Sequence, residues 1–442
     1  MMQVDPVILT LFMFGMMGLL MLIGLPLTFT LGATSVVTVM LMWGTEGGIS
    51  MLYYSFMSIT YSFSLSAIPL FIFLGVILEK SGIGEDFFDM IYKWLGGIPG
   101  GLSIGTLGVC AIVACMVGQT GPATIMMGLI ALPVMLKHGY DKRMCSGAIQ
   151  AGGALGILIP PSVTFIMYGF LAQQSVGRLF AAGIMPGLLL VGLFMTYVLI
   201  RCMLQPNMGP PLPKEERATW EEKFKSLKGI ILPVFLIFIV LGLIVFGVTS
   251  ATESAGIGAA GALLCAGIRR TFNMQMLKNA VYSTARIMGT VMWIMIPAVA
   301  FSKIYQGLGA QQLIEHLIQY MQIGPYAVLA LMMLSYYVLG CFLETGAIIF
   351  LTIPLYVPII VNLGFDPVWF GVLYVMNMET AYLTPPYGFN LFYMKAIAPK
   401  EITLIDIYWS VIPFVGLQIL ALFLVIIFPE IAMWLPNLLF SK

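Results

Sequence analysis

Gly153-Ala-Leu-Gly-Ile-Leu-Ile-Pro160-Pro161-Ser162 interrupts a long apolar run. Met144 to Ala154 reads as helix, and Val163 to Ala172 reads as helix again. Between them Pro161 clashes with a helical conformation at Pro160, and neither ring has an N–H to donate. The helix must break, near mid-membrane depth. A break frees carbonyls on one side and N–H groups on the other. It survives in lipid only where it is buried or lines a polar cavity. Unwound carbonyls suit a cation, and a half-helix N-terminus suits an anion. A proline kink that binds nothing would look the same, so a lone break decides little.

A second break lies at Leu383-Thr384-Pro385-Pro386-Tyr387-Gly388, and Pro385 follows Pro160 by 225 residues. The same offset carries Gly82 to Gly307, Thr120 to Thr345, Gly121 to Gly346, Pro133 to Pro358 and Asp141 to Asp366. A register kept this long without a gap marks two copies of one membrane unit. Interrupted helices at corresponding places in two copies are the best sequence pointer to a transporter's binding site.

The chain has 442 residues, 60% hydrophobic and 9% charged. A soluble domain carries about a quarter charged residues, so this is a polytopic membrane protein. The net charge of +1 argues against a nucleic-acid partner. The six cysteines form no C-x-x-C pair, and the two histidines, His138 and His316, belong to no metal motif. No basic n-region precedes Val7–Leu27, which therefore reads as a retained span.

Residues 1–204 form the first repeat, 205–228 a hydrophilic linker and 229–442 the second repeat. Spans are expected at Val7–Ile23, Leu25–Trp43 and Ala67–Leu78, with Glu46–Phe63 as an interfacial segment. Gly84–Leu95 and its counterpart Ala310–Gln322 read as helices lying in the membrane surface. The runs at about 102–136 and 328–363 turn at Gly118-Gln-Thr-Gly121 and at Gly340 to Gly346. Each arm has only about 15 residues, short of a full crossing, so both read as re-entrant hairpins. Broken helices follow at about 144–172 and 367–397, then unbroken spans at Leu179–Leu204 and Leu404–Phe428. Ile230–Val248, Ala255–Ile268 and Ile287–Ile304 open the second copy.

With the Lys-rich linker placed in the cytoplasm, five crossings per half put 17 of the 20 Lys and Arg residues inside. Only Arg178, Lys303 and Lys442 fall outside. The two copies are then inverted, one hairpin entering from each side.

No Lys or Arg occurs from Met144 to Gly177 or from Ile304 to Met394. An anionic substrate would be held by helix N-termini, hydroxyls, amides and bound cations. The candidates are Gln119, Thr120, Thr124, Ser162 and Thr164, then Thr345, Asn377, Thr380, Thr384 and Asn390. Glu344, at the second tip, is the sharpest, because an acid at membrane depth is costly and usually functional. It could ligate a cation or carry a proton; a solvated loop acid is the plain alternative. Glu379 is a weaker case of the same kind.

At these residues the chain resembles a known family. Gly-Ala-Leu-Gly-x-Leu-Ile-Pro-Pro-Ser (153–162), Gly-Tyr-Asp (139–141), Thr-x-x-Thr-Glu-Ser-Ala (249–255) and Asn-Met-Glu-Thr-x-x-Leu-Thr-Pro-Pro-x-Gly-x-Asn-Leu (377–391) are similar to the large membrane subunit of tripartite ATP-independent periplasmic (TRAP) transporters. The resemblance covers nearly the whole chain. It implies an elevator-type carrier in the bacterial cytoplasmic (inner) membrane, not an enzyme, with no cofactor beyond coupling sodium ions. It implies sodium-driven uptake of an organic acid delivered by a periplasmic substrate-binding protein, and a separate small four-span membrane subunit. By motif, one sodium site takes Gly118, Gln119 and Thr120 with Gly156 and Ser162. The other takes Glu344, Thr345 and Gly346 with Thr384 and Gly388. Two positions depart from the family pattern: Gly118-Gln119 stands where Gly-Ser is usual, and Glu344 where Asp is usual. Both change side-chain reach.

Three other readings stay open on the residues alone. A stand-alone inverted-repeat dicarboxylate symporter shares the architecture. A channel would want a ring of charged or repeated filter residues, which the sequence lacks. An intramembrane enzyme would want a metal motif or a Ser/His arrangement.

Overall fold

The computed structural model describes residues 5–309, 313, 323–385 and 388–440, and the regular structure among them is helical. Apart from Leu313, the expected surface helix Ala310–Gln322 lies outside the described residues, as do Pro386 and Tyr387 of the second break. Nine helices among the described residues are long and apolar enough to cross a membrane. The chain is an all-α polytopic membrane protein.

Pro6–Leu22 (α1), Leu27–Thr60 (α2) and Ala67–Lys80 (α3) open the first half, and Ile83–Leu95 (α4) follows. The expected end of the second span at Trp43 coincides with a kink in the helix. Gly44 has φ +68°, a left-handed conformation open to glycine, and helix resumes beyond it to Thr60. Glu46–Phe63, expected as an interfacial segment, is thus largely a second helical arm beyond the kink. In α4, Phe87, Phe88 and Ile91 turn inward, as the amphipathic pattern requires.

Gly101–Val117 (α5) and Thr120–Lys137 (α6) make the first hairpin. Lys142–Ala154 (α7) and Val163–Ala172 (α8) are the halves of the first broken helix, and Val176–Leu204 (α9) completes the half. A capping box of Thr219 and Glu222 starts Trp220–Val245 (α10) inside the stretch expected as linker. The residues before it are tied down: Gly100 N–H donates to Gly209 C=O at 2.8 Å and Leu212 N–H to Gly96 C=O at 2.7 Å.

Ala251–Ile268 (α11) precedes Met274–Gly307 (α12), a single helix of 34 residues. It spans in one piece what the first half divides into an arm and a third span. Pro325–Gly340 (α13) and Thr345–Asn362 (α14) make the second hairpin, and Pro367–Leu383 (α15) and Phe389–Ile397 (α16) the second broken helix. Leu404–Ile427 (α17) is followed by a helix the sequence reading missed, Glu430–Phe440 (α18), which packs on α9.

The helices that lead into the breaks start alike. The Asp141 carboxylate accepts from the Arg143 and Met144 N–H groups, both at 3.0 Å. Asp366, its counterpart 225 residues on, accepts from Val368 and Trp369. Each satisfies orphan donors of a first turn. The broken helices then pack on each other: the Tyr168 ring of α8 stacks on Tyr374 of α15 at 6.4 Å, and its hydroxyl donates to Pro367 C=O. Tyr336 of α13 meets Tyr374 edge-on at 4.9 Å, joining the second hairpin to the same pillar. α12 packs against α2, α3 and α14, bringing one long helix alongside the second hairpin.

Candidate functional site

The first tip is built by one glycine. Gly118 ends α5 at φ +67°, Gln119 is extended, and α6 begins at Thr120. This turn lies against the first break. A Cβ on Gly156 would sit 2.7 Å from the Gln119 carbonyl oxygen and 2.9 Å from the Ala114 Cβ. A Cβ on Gly118 would sit 3.2 Å from the Pro161 carbonyl oxygen. Backbone meets backbone at two points, so glycine is required at 156 for contact and at 118 for conformation. The break itself holds a short 3-10 turn, Leu155–Ile157, before Pro160 and Pro161.

The second tip reaches its turn without a left-handed residue. α13 ends at Gly340, and Glu344 occupies the N-cap of α14 without its side chain capping it. Tyr374 donates from its hydroxyl to Thr345 C=O at 2.9 Å, fixing this tip to α15. Thr384 is extended where α15 ends, and Gly388 N–H donates back to Thr384 C=O at 3.1 Å. A Cβ on Gly388 would lie 2.7 Å from Tyr382 C=O, so this turn also closes around a glycine.

Both tips open onto one cavity of about 240 Å³. Gly118, Gln119, Thr120 and Thr164 line it from the first half, and Glu344, Thr345 and Gly346 from the second. The sequence reading missed the rest of the wall. Thr290, Val291 and Ile294 come from α12, with Tyr382 and Tyr393 flanking the second break. A polar Thr290 inside a span, one turn beyond Arg286, was the available signal. Tyr393 also packs on the first tip, 2.9 Å from where a Gly121 Cβ would be, so one break serves the other's hairpin.

The remaining candidates are placed elsewhere. The Ser162 hydroxyl is fully buried and donates to Ile157 C=O, inside the break. Thr124 donates to Thr120 C=O at 3.1 Å. Thr380 and Thr384 donate to the carbonyls one turn earlier, Met376 and Thr380. Asn377 donates to Met333 C=O at 2.8 Å and Asn390 to Gln150 C=O at 3.0 Å, bracing α15 on α13 and α16 on α7. Glu379 is completely buried outside the cavity, and neither carboxylate oxygen has a partner among the described residues.

Among the described residues Glu344 is the one charged side chain lining the cavity, and no Lys, Arg or His joins it. The other polar groups there are hydroxyls, an amide and the first-turn residues of α6 and α14. Oxygen donors with a single carboxylate suit a hard monovalent cation, whereas zinc or copper would want imidazole or thiolate. No group of three or more His, Cys, Asp or Glu side chains that could hold a metal ion occurs among the described residues.

Comparison with known proteins adds four findings. Residues 14–431 match the family model of the DctM component of the tripartite ATP-independent periplasmic transporter. The chain is 28% identical to the C4-dicarboxylate TRAP transporter large permease protein DctM of Vibrio cholerae serotype O1, over 95% of this chain and 96% of that one. It is 30% identical to the ectoine TRAP transporter large permease protein TeaC of Halomonas elongata, over 96% of this chain and 98% of that one. Among solved structures, the YdaH transporter of Alcanivorax borkumensis shares the fold, with a TM-score of 0.63 at 14% identity, covering 99% of this chain and 98% of that one.

Proposed function

The chain belongs to the DctM-component family of tripartite ATP-independent periplasmic transporters, multi-pass permeases of the bacterial inner membrane, and we propose that it couples inward movement of an organic acid anion to sodium. One observation carries this reading. Two hairpin tips and the residues of two breaks share a cavity whose single charge among the described residues is negative. An anion would be repelled there unless a cation bound first and neutralised Glu344. Sodium at the second tip does that, and sodium held by carbonyls between Gln119 and the first break adds a positive charge. The N-termini of α6 and α14 then supply N–H donors to a carboxylate. Binding becomes ordered, ion before solute, which is the essence of coupling.

Relatives named for C4-dicarboxylate, ectoine and sialic acid transport support a small organic acid as cargo. Movement would be of the elevator kind, hairpins and broken helices sliding as a body against α1–α3 and α10–α12 in an inverted-repeat frame. Delivery falls to a periplasmic binding protein, and a small membrane subunit steadies the frame. The isethionate TRAP transporter permease protein DctMQ of Oleidesulfovibrio alaskensis supports the last point: this chain spans 65% of its length, leaving room for a further component. The test is uptake into liposomes holding this chain, the small subunit and the binding protein. Accumulation should require an inward sodium gradient and should fail with this chain alone. Accumulation driven by a proton gradient without sodium would overturn the proposal.

A further inference from the structure

A second cavity, of about 450 Å³, lies where α7, α9 and α17 meet, at the end of the spans that carries the linker. The linker's Met208 lines it and accepts a hydrogen bond from Asp141 N–H at 3.1 Å. Three cations enter it: Lys142 and Arg143 from the first turn of α7, and Arg201 from the last turn of α9. Two acids answer them. Asp406 accepts from Lys142 at 2.6 Å and from Arg143 at 3.2 Å, while Asp141 is spent capping α7. Arg201 has no ion pair or side-chain hydrogen bond among the described residues. One positive charge therefore stays uncompensated, beside the positive end of α7.

The opposite wall is apolar and aromatic. Tyr197, Trp409, Pro413 and Phe414 line it, and Trp409 is 57% exposed. Beyond the rim, Met203, Leu204 and Ile405 are exposed apolar side chains of the kind that meets lipid. Tryptophan and tyrosine beside arginine at the end of a span mark the headgroup level of a bilayer. A basic cavity between helices on the cytoplasmic side, open to lipid along an apolar wall, fits a phosphate that carries acyl chains.

We propose that this cavity binds an anionic glycerophospholipid of the inner leaflet, its phosphate on Arg201, Lys142 and Arg143 and its chains against Trp409 and Phe414. No part of the central cavity is used, so the site is independent of the solute and of sodium. Because α7 leads directly into the first break, the lipid grips the foot of the element that carries it.

Native mass spectrometry on the delipidated full chain, with phosphatidylglycerol and phosphatidylethanolamine supplied in detergent, tests this. Phosphatidylglycerol should bind in preference. Arg201→Gln should weaken it about fivefold, the share expected of one cation at a headgroup, and Lys214→Gln in the exposed linker should not. The Arg201 side chain makes no ion pair or side-chain hydrogen bond among the described residues, so Arg201→Gln leaves no partner unpaired, and an unchanged unfolding midpoint would show that the variant is folded. Equal binding of the two lipids, or an Arg201→Gln chain that binds phosphatidylglycerol as before, would overturn the site. Displacement of the lipid by millimolar inorganic phosphate would show a free-phosphate site and overturn the lipid assignment.

Discussion

Gly156 is where the first hairpin touches its break, and a single methyl group tests whether that contact matters. In Gly156→Ala the new Cβ would lie 2.7 Å from the Gln119 carbonyl oxygen and 2.9 Å from the Ala114 Cβ. Both atoms belong to the same hairpin, Gln119 at its tip and Ala114 in the last turn of α5, so one movement relieves both clashes. Ordinary contact near 3.5 Å requires the tip to retreat by about 0.7 Å. Inserting a methyl group into a packed site costs about 1–3 kcal/mol. Gly346→Ala is the matched control, because a Cβ there meets nothing within 4 Å. At a helical position without steric conflict, alanine stabilises by about 0.4–1 kcal/mol. The two substitutions should therefore move thermal unfolding, followed by tryptophan fluorescence in detergent, in opposite directions. Gly156→Ala should also raise the sodium concentration for half-maximal uptake about tenfold, as 1–2 kcal/mol of lost ion contact demands. If Gly156→Ala unfolds with wild-type stability and keeps the wild-type sodium curve, the tip does not rest on the break.

Two further outcomes are expected. Lys137 and Asn362 are exposed counterparts 225 residues apart; single cysteines there should label from opposite faces of the membrane, and labelling from one face would remove the inverted frame. Asn390→Ala should lower stability by about 1–3 kcal/mol, because it leaves the buried Asn390–Gln150 strut between α16 and α7 unmade, and an unchanged unfolding midpoint would deny that the strut joins the two breaks.

The breaks and the hairpin turns were legible because each depends on local chemistry. Pro160-Pro161 cannot stay helical, and Gly118 permits the left-handed turn; the caps by Asp141 and Asp366, equally local, went unread. What escaped the sequence depends on distance. The break at Gly44 agrees with the expected span end at Trp43, but the helix that resumes beyond it to Thr60 was not legible. Trp220 begins α10 among charges that look like linker, held by Thr219 and by Trp94 donating to Lys223 C=O. In the site, a list of hydroxyls and amides could not separate Thr345, which lines the cavity, from Asn377, which braces α13. Tyr382, in the last turn of α15, and Tyr393 were invisible for the same reason: only tertiary packing, for Tyr393 that of α16 on the first hairpin, brings them to the cavity.

The central claim is that Glu344, the one charged side chain lining the cavity among the described residues, holds sodium. The direct measurement is uptake against sodium concentration, at fixed solute and binding protein, for Glu344→Gln and Glu344→Asp. A charge-assisted contact is worth about 1.5–3 kcal/mol, so Glu344→Gln should shift the curve to about ten- to a hundredfold higher sodium. Glu344→Asp keeps the charge and should retain much of the activity. A Glu344→Gln curve that overlays the wild type would contradict the account, and would leave the second sodium ion without its ligand.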